Sequence, residues 1–167
     1  MNPLASKYCI DTSALIEWWA DSYGPDIFQS IPERMAKLVQ EGRLRASRSV
    51  KDEIKEGPKD EPLDLARWCR SQPNFYEEDD AAVQKVVKDL LLKYQNPPKK
   101  KNKGINGADP FVVGRAHVWG TSWCVVSAER PSNGSLYNPN IPFVCAEIGV
   151  EHIDFQTLMR REGWKLL

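Results

Sequence analysis

Short apolar runs, too brief to be helices and each handing over to a segment with helical spacing, constrain this chain more than any other feature. Tyr8–Asp11 (YCID) is one such run, and Leu15, Ile16, Trp18 and Trp19 follow it at helical spacing within Ser13–Tyr23. Thr121–Ser127 (TSWCVVS) is another, made of β-branched and aromatic residues. Arg43–Ser47 (RLRAS) and Val150–Asp154 read as two further strands. Strands that alternate with helical segments call for a parallel sheet covered on both faces. The expected fold is therefore a three-layer α/β/α domain with a central, mainly parallel sheet.

The helical segments carry their own punctuation. Ser30-Ile31-Pro32-Glu33 has the pattern of a capping box, opening a helix with Ile31, Met35, Leu38 and Val39 on one face and Gly42 as its stop. Ser49 to Asp52 reads as a cap for a short helix that ends at Gly57 and Pro58, and Leu63–Arg70 as one more. In Asp79–Tyr94, Val83, Val86, Val87, Leu90, Leu91 and Tyr94 form a single stripe under an acidic cap. Ala108–Trp119, Phe143–Ile148 (closed by Gly149) and Phe155–Glu162 are the remaining helices, with a turn-rich stretch over Pro131–Pro142. No repeat or linker interrupts the pattern, so residues 1–167 are expected to form one domain.

Composition narrows the class. At 41% hydrophobic and 28% charged residues the chain reads as globular rather than disordered. No apolar run approaches the length of a membrane span, and the N-terminus lacks the pattern of a secretory signal. Cys9, Cys69, Cys124 and Cys145 form no CxxC pair, so a reducing, cytoplasmic setting is expected rather than a disulfide framework or zinc site. With 23 basic and 23 acidic residues, whole-chain charge gives no support for nucleic-acid binding, and local distribution must carry any such reading.

The informative residues are acidic. In an open parallel sheet, ligands bind outside the carboxyl ends of the strands. Asp11 stands at such an end, and Glu129 stands two residues beyond Ser127 at another. In SVKDEIK, Val50 and Ile54 mark the inward direction; at 100° per residue Glu53 lies roughly 80° from it and Asp52 roughly 180°. Glu53 can thus edge into a crevice while Asp52 faces water. Asp109, in GADPFVV, sits at or within the first turn of its helix. Each acid alone has an ordinary explanation: a cap for Asp11 or Asp109, a solvated helix face for Glu53, a loop residue for Glu129. Ser13 is either a cap itself or a partner of Asp11. Like charges gathered in one crevice would repel unless a cation or proton stood between them.

The ordered segments YCIDTSALIE, SVKDEI, ADPFVV, CVVSAER and IPFVC resemble the PIN domain, and more closely a PIN-like branch related to the VapC-type toxin ribonucleases. The resemblance runs from Tyr8 to about Trp164. It implies metal-dependent endonucleolytic hydrolysis of RNA, with Mg²⁺ or Mn²⁺ at an acidic site of Asp11, Glu53, Asp109 and Glu129. Ser13 and Ser127 match polar positions flanking the first and last acids. Asp11 and Asp109 are then the expected direct ligands, with Glu53 and Glu129 completing the shell or orienting water. It also implies that the chain is the toxin of a prokaryotic toxin–antitoxin pair, with a cognate antitoxin protein as partner and a homodimer possible. Two positions depart from the pattern. Glu129 stands where many PIN proteins have aspartate, and Phe143 stands in IPFVC where relatives tend to have aspartate. A non-catalytic PIN-like module binding RNA or a partner, and a DNA-directed nuclease on the same fold, are the alternatives.

Other signals are subsidiary. Lys99, Lys100, Lys101 and Lys103 form a cluster in the loop leading to Asp109, suited to RNA phosphates or an acidic partner segment. Trp18, Trp19, Trp119 and Trp123 fall in apolar patterns and are expected in the core; Trp68 or Trp164 is available to stack a base or line an interface. His117 and His152 have no HxxxH or cysteine partner. GxSxG, P-loop and GxGxxG sequences are absent, and a haloacid-dehalogenase-like site would need aspartate where Ser13 stands.

Overall fold

A computed structural model of the chain describes residues 4–56, 63–94, 105, 107–136 and 138–166. Five parallel strands form the sheet: β1 (Lys7–Ile10), β2 (Leu44–Ser47), β3 (Tyr76–Glu77), β4 (Trp123–Val126) and β5 (Glu151–Ile153). Their spatial order is β3-β2-β1-β4-β5. The chain thus builds outward from β1 through β2 to β3, then returns to the other side of β1 for β4 and β5. Burial of β1 and β4 on both faces explains their composition: Tyr8, Cys9, Ile10, Cys124, Val125 and Val126 are all inaccessible to water.

Among the described residues, eight α-helices cover the sheet: α1 (Thr12–Ile16), α2 (Ser30–Gln40), α3 (Arg48–Glu56), α4 (Leu63–Ser71), α5 (Ala81–Lys93), α6 (Asp109–Trp119), α7 (Ile141–Ile148) and α8 (Phe155–Arg161). On one face α6 packs across β1, β2 and β4, with α5 laid against α6 and α7 against β5. On the other, α1 continues as a π-helical turn over Glu17–Ser22 and delivers Trp18 into an aromatic cluster. Trp18 stacks on Phe155 of α8 and meets Trp68 of α4 edge-on at 4.9 Å. The three-layer α/β/α fold expected of the chain is the one it adopts, and its sheet is wholly parallel.

Several local expectations are corrected. The capping box at Ser30 does not form: α2 begins at Ser30 itself, and no side chain caps it. Helix α3 starts at Arg48, and the Ser47 hydroxyl, not Ser49, accepts a bond from the Ser49 N–H at 3.2 Å. In α5, Val83, Val87 and Leu90 are buried, but Leu91 turns out to water with Leu92. Strand β3 is only two residues long and joins the sheet through Ala46 opposite Tyr76 and Ser47 opposite Glu77, a pairing that no apolar run announces. Trp119 and Trp123 are half-buried and pack on each other at 4.1 Å, outside the deep core, while Trp68 is spent on the aromatic cluster rather than held out for a base. Trp164 lies under Arg34.

Arg115 is the one fully buried cation among the described residues, and it ties α6 to the start of α5. Its guanidinium reaches the Glu78 carbonyl and Asp79, while Ser47 donates to the same Asp79 carboxylate. Asp80, next along, caps α5 by accepting from Val83 N–H at 3.0 Å. Both acids at the head of α5 thus face the buried Arg115 charge, Asp79 at 3.2 Å and Asp80 at 3.7 Å, and Asp80 closes the helix as well.

Candidate functional site

The order of the sheet reverses between β1 and β4, which in an open parallel sheet is where the ligand crevice lies, at the carboxyl ends of the strands. Ile10 is in register with Val126, and the Asp11 N–H donates to the Val126 carbonyl at 2.9 Å. Asp11 and Ser127 consequently leave the sheet side by side. Asp11 caps α1: its Oδ2 accepts from the Ser13 N–H at 3.1 Å and from the Ser13 hydroxyl at 2.6 Å. That resolves the two readings of the opening motif, because the cap is Asp11 and Ser13 is its partner. The Ser13 oxygen also accepts from the Ala128 N–H at 3.0 Å, which pins the loop after β4 to the start of α1.

Glu53 reaches the crevice from the flank of α3, and Asp52 beside it is exposed, as the helical angles require. Its Oε2 accepts from the Thr12 hydroxyl at 2.6 Å and its Oε1 from the Ala108 N–H at 2.8 Å. Glu53 thus ties together the first turns of α1 and α6. Gly107 makes this approach possible. It has a positive φ of 58°, and a Cβ there would stand 2.8 Å from the Glu53 Oε1.

Asp109 is the first residue of α6, and Pro110 in the same turn has no N–H to leave unsatisfied. Its carboxylate has no hydrogen-bond donor among the described residues. Glu129 follows β4 and directs Oε2 at the Ile141 N–H, 2.6 Å away at the head of α7. Its own N–H donates to the Ser127 hydroxyl at 3.3 Å.

The electrostatics show that the acids share one environment. Burial pushes the Asp109 carboxyl up to about 8, reinforced by Asp11, Glu129 and Glu53 in turn. Burial also raises Asp11 to about 6; the Ser13 hydrogen bonds oppose the rise, and the charges of Glu53 and Glu129 add to it. Asp11 is almost wholly buried, yet its Oδ1 has no partner among the described residues. As the side chains lie, no three carboxylate, imidazole or thiolate groups among the described residues already stand at the spacing of a metal cage. What is assembled is a pair of aspartates with free oxygens, braced by two glutamates whose oxygens hold backbone and hydroxyl donors. Free oxygens on buried carboxylates suit a hard divalent ion, which takes few protein ligands and keeps water.

One contributor was not singled out from the sequence. His152 on β5 places Nε2 2.7 Å from the Ser127 hydroxyl. That hydroxyl accepts from the Glu129 N–H, so it can donate its proton to an unprotonated Nε2. Burial lowers the His152 pKa, against a weaker upward pull from Asp154, which favours the neutral ring, and the tautomer protonated on Nδ1 accepts that bond. The signal is the position of His152, level with Val125 in the β4–β5 register, and only the sheet order reveals it. His117 is exposed on α6. Phe143, in the first turn of α7, packs against the core and meets Tyr94 edge-on. The lysine cluster Lys99, Lys100, Lys101 and Lys103 lies outside the described residues. The four cysteines are buried and free, and no described helix is long and apolar enough to cross a membrane.

Fold and site together define the class: a wholly parallel α/β/α domain with an acidic cluster where its strand order reverses. Within that class the chain belongs to the family described as a domain of unknown function, DUF4411, whose pattern matches residues 8–166. No curated protein matches the chain.

Proposed function

We propose that this protein is a divalent-metal-dependent endoribonuclease of PIN-like type. The observation that carries the reading is the unpartnered Oδ1 of buried Asp11, together with an Asp109 carboxyl raised to about 8 by burial and then by the charges of Asp11, Glu129 and Glu53. Like charges gathered in this way need a proton or a cation between them, and Mg²⁺ or Mn²⁺ fits the all-oxygen donor set and can displace the proton. When bound, such an ion supplies charge stabilisation at a phosphodiester and lowers the pKa of its water.

The chain's own residues then divide the labour. Asp11 and Asp109 offer the direct ligands. Ser13 holds Asp11 by one oxygen and leaves the other turned inward. Glu53 fixes the backbone around Asp109 through Ala108, and Glu129, kept in place by Ile141 and Ser127, has its second oxygen available for an attacking water. By the same resemblance the chain acts in the cytoplasm as the toxin of a prokaryotic toxin–antitoxin pair, held inactive by a cognate protein.

RNA cleavage by the purified chain with Mn²⁺ or Mg²⁺ tests this directly. Activity should vanish with EDTA and in Asp11→Asn and Asp109→Asn, both of which should melt cooperatively. Equal cleavage by wild type and Asp11→Asn in the presence of EDTA rejects the proposal. Offering DNA alongside RNA separates a DNA-directed enzyme on the same fold. The engagement of both Glu53 oxygens by protein donors favours one competing reading, a non-catalytic module that binds RNA or a partner. That reading predicts no rise in melting temperature with millimolar Mn²⁺.

A further inference from the structure

At the β3 edge of the sheet, α3, α4 and β3 enclose a cavity of about 220 Å³ lined by Lys51, Ile54, Ala66, Arg70 and Tyr76. Ile54, Ala66 and the ring of Tyr76 make an apolar floor. Two cations close it: Lys51 Nζ stands 5.8 Å from the centre of the Tyr76 ring, and Arg70 comes from the last turn of α4. Neighbouring cations on this edge are already neutralised, Arg45 by Glu77, Arg48 by Glu78 and Arg67 by Asp64. Among the described residues, Lys51 and Arg70 have no carboxylate within the 4.0 Å of an ion pair. Both side chains are exposed around a concave, half-apolar surface.

We propose that this cavity is a subsite for single-stranded RNA, with Lys51 and Arg70 holding one backbone phosphate and the Tyr76 ring supporting the adjoining nucleotide. It rests on the ribonuclease reading and extends it to the substrate's path. Lys51 and Glu53 lie two residues apart on α3, about 200° around the helix. One side of α3 therefore faces the acidic crevice and the other faces the cavity. A strand crossing the start of this helix, about 10 Å wide, would reach both. An ammonium and a guanidinium recognise phosphate as a point charge and as a fork of donors. The aromatic ring beside them suits a nucleotide, since every base has a π-face to stack. Burial raises the Tyr76 hydroxyl pKa, so the ring is neutral and repels no phosphate at working pH.

The test is binding of a cleavage-resistant 2′-O-methyl oligoribonucleotide to the full chain without divalent metal, read by fluorescence anisotropy over a salt series. For one phosphate contact on a single strand, Lys51→Ala with Arg70→Ala should flatten the slope of log K against log salt by about 0.7. Affinity at low salt should fall about tenfold, and Tyr76→Leu should weaken binding without changing the slope. The melting temperature of the double variant should match wild type, because both residues are exposed. Lys85→Ala with Lys88→Ala on α5 removes the same charge elsewhere and should leave affinity and slope nearly unchanged. An unchanged slope in the Lys51/Arg70 variant overturns the proposal, as does an equal loss in the Lys85/Lys88 variant. Binding of polyglutamate with the same Lys51 and Arg70 dependence, but none of the oligonucleotide, would assign the cavity to an acidic protein segment instead and also overturn it. Asp11→Asn should still bind the probe. Loss of the Lys51/Arg70 effect in a chain that cleaves RNA thus refutes the subsite alone, whereas a chain with no metal-dependent cleavage refutes the ribonuclease.

Discussion

Replacing Asp109 by asparagine should make the metal-free protein more stable, and the gain should depend on pH in a defined way. The carboxyl has its ordinary value of 3.8 in the unfolded chain and about 8 in the crevice. It therefore binds its proton more tightly folded than unfolded. The stability this confers is complete below pH 3.8 and drains away as pH rises to about 8, where the folded group must ionise too. At about 1.4 kcal/mol for each tenfold change in proton affinity, the full displacement corresponds to about 6 kcal/mol. Part of that is mutual repulsion with Asp11, which is itself displaced, and asparagine still buries a polar amide. A net gain of about 2 to 4 kcal/mol above pH 8 is the reasonable expectation. For a chain of this size that is about 5 to 15 °C in melting temperature. Thermal melts of wild type and Asp109→Asn, followed by circular dichroism in EDTA from pH 4 to pH 9, measure it. The two should coincide near pH 4, diverge steadily to about pH 8 and run parallel above. Groups common to both chains and not coupled to Asp109, His152 and Asp154 among them, cancel in the difference. A gap independent of pH, or a wild type that gains on the variant as pH rises, would refute the argument that burial, with repulsion from the neighbouring acids, raises the Asp109 carboxyl.

Mn²⁺ at about a hundred times its dissociation constant should stabilise wild type by about 2.7 kcal/mol and Asp11→Asn far less, seen as a shift in melting temperature. Ser13→Ala removes the hydroxyl that donates to Asp11 and accepts from Ala128 N–H, and should cost about 1 to 2 kcal/mol in a urea titration. Glu53→Gln keeps an acceptor for Ala108 N–H, whereas Glu53→Ala leaves that donor without one. The first should stay within about 1 kcal/mol of wild type and the second lose about 2 to 3. Arg115→Met leaves half-buried Asp79 with only the Ser47 hydroxyl as donor and should destabilise by about 2 to 3 kcal/mol by the same denaturation measurement.

Much of the layout was legible because two strands, YCID and TSWCVVS, are buried on both faces and so carry unbroken apolar runs. Their register then places Asp11 and Ser127 at one level. Glu53 was legible from helical angles alone, since Val50 and Ile54 fix which way α3 faces. What the sequence concealed are features decided by contacts far apart in the chain. Strand β3 is two residues whose pairing depends on β2 being next to it, and local pattern carries no trace of that. The capping box at Ser30 fails although its residues are right, because α2 enters from the turn at Phe28 and Gln29 with helical backbone already set. His152 looked ordinary until the sheet order brought β5 beside β4, where its ring meets Ser127.

The division among the four acids follows from the same physics. A carboxylate near a helix start has backbone N–H groups within reach, and it will satisfy them if its side chain is long enough. The glutamates do so: Glu53, on α3, takes the Ala108 N–H at the start of α6, and Glu129, in the loop after β4, takes the Ile141 N–H at the start of α7. The shorter aspartates cannot stretch that far. Asp11 spends one oxygen on its own helix and has the other buried without a partner, and Asp109, already inside the first turn of α6, has no donor at all among the described residues. Side-chain reach and position in the helix together therefore separate the acids that hold the site together from those left with free oxygens. Glutamate at either aspartate position should on this reasoning be captured by a neighbouring N–H. Asp109→Glu should then lose metal-induced stabilisation as fully as Asp109→Asn, and retention of it by the glutamate variant would show that charge alone, rather than reach, makes the ligand.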